Sequence, residues 1–363
     1  MTTALLVVGI LVLLIVVHEF GHFIAAKISR VRVEEFGVGY PPRAFLLGKI
    51  GETEYTFNWL PFGGFVRLFG DEGEARHGPR SFVDASKRVQ AAILVAGVLA
   101  NAVLAWALFA GALAVGIPRV VDVPRPNEHV HLVVADVIAG SPAEAAGITA
   151  GDEIIGARDA GGTMLAAFST DTFLDFIRER GGQQIMLTYV RAGATSTVAL
   201  RSAHGVLADE TDRPAVGLAL VSVSNDPLSL PEAFMESFPR TAGAFRAVAG
   251  GLWGIVRGVA RGNANLSDVV GPVGLIGVVS DAAAHGFGNV LALAAFISVN
   301  LAVINLIPIP ALDGGRLALL AYEATARRRA SRFAVQLLNL CGVALIALLM
   351  ITVTYHDLAR LFA

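Results

Sequence analysis

The chain has 363 residues, of which 55% are hydrophobic and 16% are charged, and its mean hydropathy is +0.64. This composition is typical of a polytopic membrane protein with room for one water-soluble module. The formal net charge of −2 provides no basic surface of the kind that nucleic acids require, so we exclude nucleic-acid binding.

Residues 1–27 form the first predicted transmembrane helix. The segment 5–26 is apolar apart from Gly9 and the motif His18-Glu19-Phe-Gly-His22, and it is long enough to cross a bilayer. No basic N-terminal region precedes it, so we expect a retained helix and not a signal peptide. The motif therefore lies inside a span, where ionisable groups are costly and usually functional.

The HExxH spacing of this motif predicts a zinc site. In a helix, His18 and His22 lie one turn apart on one face, where two imidazoles can hold one zinc ion. Glu19 is the candidate general base, which takes a proton from the attacking water. The alternative is a chance match in an apolar helix, and the location of the motif inside a span argues against chance.

Residues 28–88 are predicted to form a loop on the cytoplasmic side that contains β-structure. The loop is polar, and ten Lys or Arg residues lie between positions 27 and 88. The apolar sequence Leu60-Pro-Phe-Gly-Gly-Phe65 interrupts it without a helical or strand period. This pattern indicates a loop that dips into the membrane edge beside a wet cavity. An ordinary β-hairpin on the membrane surface is the alternative.

The same apolar sequence contains the candidate substrate-binding residues. Residues 57–66 are β-prone, and an edge strand there could pair with an unwound substrate segment. We therefore name Gly63, Gly64 and Phe65 as candidates for substrate binding.

A second span is predicted at 89–117. It contains Asn101, which either packs helices together or faces the metal site, and the periodicity favours helix packing. The region 118–229 has the charged residues and turns of a soluble domain. Helix-capping and strand signals between positions 130 and 203 predict a small α+β module there.

Residues 230–289 are predicted to be an amphipathic helix on the membrane surface followed by a linker, because apolar residues at helical spacing alternate with arginines. A helix packed on the soluble module is the alternative. The third and fourth spans are predicted at 290–308 and 333–354. Between them, the loop 309–332 follows a helix break at Pro308 and Pro310.

Basic residues set the predicted orientation. By the positive-inside rule, the arginines between 316 and 332 and the basic residues of the first loop lie in the cytoplasm, and the 118–229 region lies outside. His18 and His22 then lie near the cytoplasmic end of their span, at the depth of Asp313. We therefore predict Asp313 as the third zinc ligand, which leaves a fourth position for water, as in catalytic zinc sites.

Four motifs, in this order, resemble the site-2 protease family of intramembrane zinc metalloproteases, and in particular the bacterial regulator-of-sigma-E proteases. They are His18-Glu19-Phe-Gly-His22, Leu60-Pro-Phe-Gly-Gly-Phe65, Gly271-Pro-Val-Gly274 and Asn305-Leu-Ile-Pro-Ile-Pro-Ala-Leu-Asp313-Gly-Gly315. The resemblance implies Zn²⁺ bound by His18, His22 and Asp313, with Glu19 as the general base. It also implies that Asn305 is a polar contact for the substrate backbone.

The resemblance further implies a single PDZ domain at about 130–203, because the sequence 141–152 is similar to the loop and helix of such domains in this family. Better-known enterobacterial members of the family carry two PDZ domains. The family also often has proline in the second span, at the position of Val98. The implied location is the bacterial inner membrane, with the active site near its cytoplasmic side. The implied substrates are single-span anti-sigma factors already trimmed by another protease, and remnant signal peptides.

We therefore predict a polytopic α-helical membrane protein with four transmembrane helices, a membrane-associated β-rich cytoplasmic loop and one α+β PDZ domain outside the cytoplasm. The predicted activity is that of a membrane-embedded zinc metalloendopeptidase. One alternative is a PDZ-bearing membrane scaffold with a vestigial metal site, although a scaffold has no use for a general base. A metal transporter is another, but internal repeats and several intramembrane carboxylates, which transporters usually have, are not evident.

Overall fold

The computed structural model describes residues 2–71, 78–125, 128–165, 169–191, 193–206, 213–262 and 271–362. The chain divides into two compact units. The membrane unit comprises Met1–Val115 and Leu228–Ala363, and the inserted unit comprises Gly116–Pro227.

The chain forms nine helices and eight strands among the described residues. In chain order they are α1 (Thr2–Ile28), β1 (Val33–Ile50), β2 (Thr53–Leu68), α2 (Lys87–Val115), β3 (Arg119–Val120), β4 (Val130–Val137), α3 (Pro142–Ala145), β5 (Glu153–Asp159), α4 (Thr170–Glu179), β6 (Gln184–Arg191), β7 (Ala194–Arg201), β8 (Leu218–Ser224), α5 (Leu230–Ala260), α6 (Pro272–Ala284), α7 (Phe287–Leu306), α8 (Asp313–Ala326) and α9 (Arg332–Phe362).

Among the described residues, four helices of the membrane unit are long and apolar enough to cross a bilayer: Thr2–Ile28, Lys87–Val115, Phe287–Leu306 and Phe333–Ala359. The chain is therefore an integral membrane protein with a β-containing domain, as its composition predicts. The second and third spans each begin two or three residues earlier than expected, at Lys87 and Phe287.

Small residues let α1 and α2 approach closely at the level of the histidine motif. A β-carbon added to Gly21 would lie 2.4 Å from the carbonyl oxygen of Ala96 and 2.8 Å from the β-carbon of Ala100. Close backbone approach at small residues is a common way for membrane helices to associate without a hydrophobic driving force. The contact fixes the histidine-bearing turn of α1 against the middle of α2.

Strands β1 and β2 fold into one sheet of four segments. Residues 33–38 pair on one side with 54–57 and on the other with 64–68, while residues 43–50 pair with the far side of 53–58. The segment 64–68 is therefore at one edge of this sheet. The sequence Leu60-Pro-Phe-Gly-Gly-Phe65 lies within β2, so its backbone is a strand and not the irregular loop expected. Whether the segment dips into the membrane or lies on its surface stays a prediction.

Helix α5 packs along two of the spans. Near its start, the backbone N–H of Leu228 donates to the Leu113 carbonyl, and the indole N–H of Trp106 donates to the Phe234 carbonyl. About five turns further along α5, Leu252 packs in the same apolar cluster as Val303 of α7. Part of the apolar surface of α5 therefore packs on α2 and α7, while Phe238 and Trp253 remain exposed. A helix that also lies on the membrane surface stays a prediction.

A buried carboxylate joins α9 to the Gly271-Pro-Val-Gly274 motif. Asp357 accepts hydrogen bonds from the backbone N–H groups of Gly271, at 3.2 Å, and Gly274, at 2.8 Å, and so satisfies donors at the N-terminus of α6. A β-carbon on Gly271 would lie 2.5 Å from this carboxylate. The glycine is needed because the fourth span approaches the helix terminus so closely.

The inserted unit is a six-stranded antiparallel sheet in the order β3-β8-β4-β5-β6-β7, with α3 and α4 packed on it. Its core contains Leu132, Ile154, Phe173 and Leu187. The sheet includes β8, which lies beyond the 130–203 segment assigned to this module from sequence, so the folded unit is larger than that segment.

An ion pair joins the residue before β5 to the last residue of β6. The Asp152 carboxylate, which is fully buried, receives two hydrogen bonds of 2.6 Å from Arg191, and a third from the backbone of Thr149. These bonds hold the pKa of Asp152 below its ordinary value. The charge of Asp152 is therefore satisfied despite its burial.

Candidate active site

The histidine motif lies on the buried face of α1. His18 and His22 share this face with Leu14 and Ala26, since all four are four residues apart and all are buried. Glu19 lies next to this face and is partly exposed. The apolar helix thus presents two imidazoles inward, towards α2 and the segment that follows α7.

The structure brings the three predicted ligands together. Oδ2 of Asp313 lies 2.9 Å from Nε2 of His18 and 3.1 Å from Nε2 of His22, and the two Nε2 atoms are 3.1 Å apart. Each of the three atoms can offer a lone pair, so one cation between them would satisfy all three at once.

Asp313 reaches the histidines because the chain folds back sharply after α7. It is the first residue of α8, so the predicted loop at 309–332 was wrong over most of its length. A β-carbon on Gly314 would lie 2.2 Å from the Ile307 carbonyl oxygen, and one on Gly315 would lie 2.4 Å from that of Ile309. The two glycines therefore serve close packing of α8 on the preceding turn.

Ion pairs on the far side of α8 hold it in place. Lys87, at the start of α2, bonds to Glu323 at 2.5 Å, and Arg316 bonds to Asp71. Burial of Glu323 opposes ionisation, but Lys87 lowers its pKa below the ordinary value. These contacts tie the helix that begins with Asp313 to the loop and to α2.

One face of α2 forms a cradle for both imidazoles. The Ile93 carbonyl oxygen is 2.7 Å from Nδ1 of His22, and the side chain of Asn101 lies 3.3 Å from Nδ1 of His18. Between them, Gly97 leaves space for the rings, because an added β-carbon would lie 2.4 Å from Nε2 of His22. Asn101 therefore faces the cluster of His18, His22 and Asp313, and packing alone does not account for it.

Ile93 and Gly97 were not among the residues predicted from the sequence to contact the histidines. One acts through a backbone oxygen and the other through the lack of a side chain. The spacing 93, 97 and 101, four residues apart on a helix that faces a histidine pair, is the pattern that would have found them.

Glu19 lies against the edge segment of the β1–β2 sheet. The backbone N–H of Val66 is a hydrogen-bond donor to its carboxylate, and a β-carbon on Gly64 would lie 3.5 Å from its Cγ. Tyr40 is near enough to feel the charge of Glu19. Burial and this charge together raise the pKa of the Tyr40 phenol above its ordinary value. The predicted base is therefore beside the predicted substrate-binding segment.

The three predicted substrate-binding residues of this segment have different surroundings. Gly63 has a φ of +100°, and the ring of Tyr40 occupies the space that a side chain would need. Phe65 covers Gly37, with its ring 2.4 Å from an added β-carbon there. Gly64 is next to Glu19, so of the three it lies nearest the base.

Asn305 lies at the end of α7, one turn before the chain folds back. It is buried, and its Nδ2 is 3.5 Å from Nε2 of His18. Its amide therefore lies at the rim of the three-ligand cluster, as a residue that contacts a substrate there must.

The donor set fits a zinc ion. Two neutral imidazoles and one carboxylate oxygen, all within 4.8 Å of one another, match the three protein ligands of catalytic zinc sites. The carbonyl that holds the far nitrogen of His22 is a usual second contact for a zinc-binding histidine. Within the described ranges, this is the one group of three such side chains close enough to share a metal.

Comparison with known proteins agrees with this donor set. The sequence matches peptidase family M50 over residues 6–349. It is 33% identical over 348 residues to a Clostridium perfringens protein, covering 95% of each chain, and 32% identical over 358 residues to one from Clostridium acetobutylicum, covering 98% of this chain and 96% of the other. It is 27% identical over 438 residues, with full coverage of both chains, to the zinc metalloprotease RasP of Shouchella clausii.

All three of these relatives are named as zinc metalloproteases. The family match covers nearly the whole chain and includes all three clustered residues, and apolar helices surround the site. The chain belongs to peptidase family M50, the site-2 protease family, and is a membrane-integral zinc metalloprotease.

Proposed function

We propose that this protein hydrolyses a peptide bond within the transmembrane segment of single-span membrane proteins, with His18, His22 and Asp313 as the zinc ligands and Glu19 as the general base. The observation that carries the proposal is the convergence of Nε2 of both histidines and Oδ2 of Asp313 within 3.1 Å, between helices that span the membrane. Residues from opposite ends of the chain have no other reason to bring three polar groups together in an apolar interior.

The proposed roles follow from position. Zinc, when bound, would polarise the scissile carbonyl and make water more acidic. Glu19 is beside the three ligands, so it can take the proton of the attacking water and pass it to the leaving nitrogen. The Val66 amide orients the Glu19 carboxylate, and the Asn305 amide is placed to donate to a substrate carbonyl.

A substrate helix must unwind before its carbonyls can be attacked, because helical hydrogen bonds occupy them. In our proposal, the opened segment adds to the sheet edge formed by residues 64–68, next to Glu19. Backbone pairing of this kind supplies affinity without requiring a particular side-chain sequence.

Proline at Phe65 or Val66 should lower the cleavage rate about tenfold or more, because proline removes an N–H that costs about 1 kcal/mol or more to lose, and disturbs the edge strand. Cleavage of a single-span test substrate in detergent micelles measures the effect. The control is Phe45→Pro on the segment 43–50 at the opposite edge of the sheet, which should leave the rate near wild type. Unchanged rates for both edge-segment variants would remove strand addition from the proposal.

We further propose that the substrates are anti-sigma factors already trimmed by another protease, and remnant signal peptides, in the bacterial inner membrane. The basic residues on the loop and α8 side support a cytoplasmic location for the active site and an extracytoplasmic inserted unit. The inserted unit would then act as a PDZ-type size filter or tail reader. Its groove between α4 and β8, lined by Phe173, Ile177 and Gly217, supports a peptide-binding role.

Removing the inserted unit as a whole should let the enzyme cleave untrimmed substrates, while trimmed ones are cleaved as before. The cut ends suit this deletion, because the Leu228 N–H donates to the Leu113 carbonyl at 3.1 Å, so a short Gly-Ser linker can join Val115 to Leu228. Cleavage of paired long and trimmed substrates measures the effect. Loss of cleavage of both, in a variant that keeps its zinc and its melting temperature, would contradict a filter.

Metal removal tests the central proposal. A chelator should abolish cleavage of the test substrate, and one equivalent of Zn²⁺ should restore it. His22→Ala should lose both zinc and cleavage, whereas His285→Ala, at an exposed histidine between α6 and α7, should keep both. Cleavage that survives in metal-free protein, or zinc binding that survives His22→Ala, would refute the assignment.

A further inference from the structure

The two histidines of the site are held differently at their far nitrogens. Nδ1 of His22 faces the Ile93 carbonyl at 2.7 Å. A carbonyl can only accept, so Nδ1 of this ring carries the proton and Nε2 keeps its lone pair, which points at Asp313. The tautomer of His22 is therefore set by the backbone of α2.

His18 needs the same tautomer but has no carbonyl beside it. Its Nε2 is the atom that faces Asp313 and His22, so its Nδ1 must carry a proton and requires an acceptor. The neighbour of Nδ1 is the side-chain amide of Asn101, whose Nδ2 lies 3.3 Å away. An amide nitrogen is a donor, so in this orientation the two groups do not match.

The other half of the same amide resolves the mismatch. Among the described residues, Oδ1 of Asn101 is buried and has no hydrogen-bond partner. Rotating the terminal amide by 180° exchanges oxygen and nitrogen without a change of shape. The rotation brings Oδ1 to Nδ1 of His18, so the unpaired acceptor gains a donor, and the proton of His18 gains an acceptor.

Asn101 is held rigidly enough to play this part. Its side chain is fully buried, and its backbone oxygen accepts a 2.9 Å hydrogen bond from the hydroxyl of Ser298 on α7. It lies two turns after Ile93 on the same face of α2, with Gly97 between them. The helix thus offers one acceptor to each histidine, from the backbone at one end of the cradle and from a side chain at the other.

We propose that Asn101 is a positioning residue that accepts the Nδ1 proton of His18 through Oδ1 and so leaves Nε2 of His18 free to bind zinc. This inference rests on the zinc ligands proposed above. Partners of this kind for metal-binding histidines typically change metal affinity 10–100-fold when removed.

Substitutions at Asn101 test whether its side chain acts as a hydrogen-bond acceptor, as a donor or only through packing. Asn101→Asp keeps an oxygen in place and should bind zinc within about threefold of wild type or more tightly. Asn101→Leu fills the same space without an acceptor and should weaken zinc binding 10–100-fold. The control is Asn300→Leu on α7, whose amide donates to the Phe296 carbonyl of its own helix, and its zinc affinity should be unchanged. Zinc affinity is measured by competition with a chelator on purified full-length protein.

Two outcomes would overturn the inference: unchanged zinc affinity in Asn101→Leu, or equal weakening in Asn101→Leu and Asn101→Asp. Nitrogen-15 NMR of the histidine side chains in the zinc-loaded wild-type protein gives an answer that does not require a variant to fold. A protonated Nδ1 on His18 with a coupling across to the Asn101 amide carbon is expected, and an unprotonated Nδ1 would overturn the inference. Failure of wild-type protein to bind zinc through His22 would instead refute the proposed function.

Discussion

Replacing Glu19 with glutamine should lower kcat/KM for a transmembrane substrate by about 10³-fold and leave zinc binding intact. Glutamine has nearly the same size, and its amide oxygen can still accept the Val66 N–H, so the local structure should persist. It cannot take a proton from water, so proton transfer is what the variant loses. Glu19 is not one of the three clustered groups, and for this reason the metal should remain.

The measurement is cleavage of a purified single-span substrate, together with zinc content per chain. Glu34→Gln is the matched control, because Glu34 lies in β1 of the same unit and pairs with Arg32 away from the site. Full activity in Glu19→Gln would show that another group is the base. A membrane scaffold would be unaffected by either substitution, so the same experiment separates the protease from that alternative.

Local signals in the sequence predicted the parts of the site that depend on spacing within one element. His18, Glu19 and His22 are grouped by the helical period alone. The approach of Asp313 required a topological step, because 291 residues separate it from His22, and the basic residues supplied that step by placing both at one depth. The cradle on α2 was missed, since a backbone oxygen leaves no trace in a pattern of residue types, and Gly97 and Asn101 indicate it only as a pair one turn apart.

The errors have physical causes of the same kind. The sequence around Gly63 and Gly64 lacks the two-residue alternation of a strand because the pairing of β1 with β2 shifts register repeatedly, and Gly63 adopts a positive φ. Helix α5 has an amphipathic pattern, and such a pattern suits either a membrane surface or a face packed on two spans. In the structure, α5 packs on α2 and α7 over part of its apolar surface and leaves Phe238 and Trp253 exposed on another part.

The predicted loop at 309–332 has another cause. Pro308 and Pro310 break the helix before it, and the break was extended over Gly314, Gly315 and the residues that follow. In the structure, the glycines are helical, and they are required because the turn after α7 passes within van der Waals distance of their α-carbons. These glycines let α8 pack closely against the turn after α7, and α8 in turn fixes the position of the Asp313 carboxylate.

Gly97→Ala should reduce activity by about 10²-fold and weaken zinc binding about tenfold or more. The added methyl group would lie 2.4 Å from Nε2 of His22 and 2.8 Å from Cε1 of His18, so both rings must move by the better part of an ångström. Nε2 of His22 is the atom that faces Asp313 at 3.1 Å, and moving it changes the geometry of the whole ligand set. Alanine has the highest helix propensity, so the substitution should disturb the site without destabilising the helix.

Gly111→Ala provides the matched control on the same helix. A β-carbon there would meet Leu291 at 3.4 Å, an ordinary contact, so zinc affinity and cleavage should both stay at wild-type values. Melting temperatures of the two metal-free variants show whether α2 is intact in each. If Gly97→Ala kept full zinc affinity and full activity while folded, the imidazoles would not be confined by α2. The idea that one face of this helix sets the geometry of both histidines would then have to be given up.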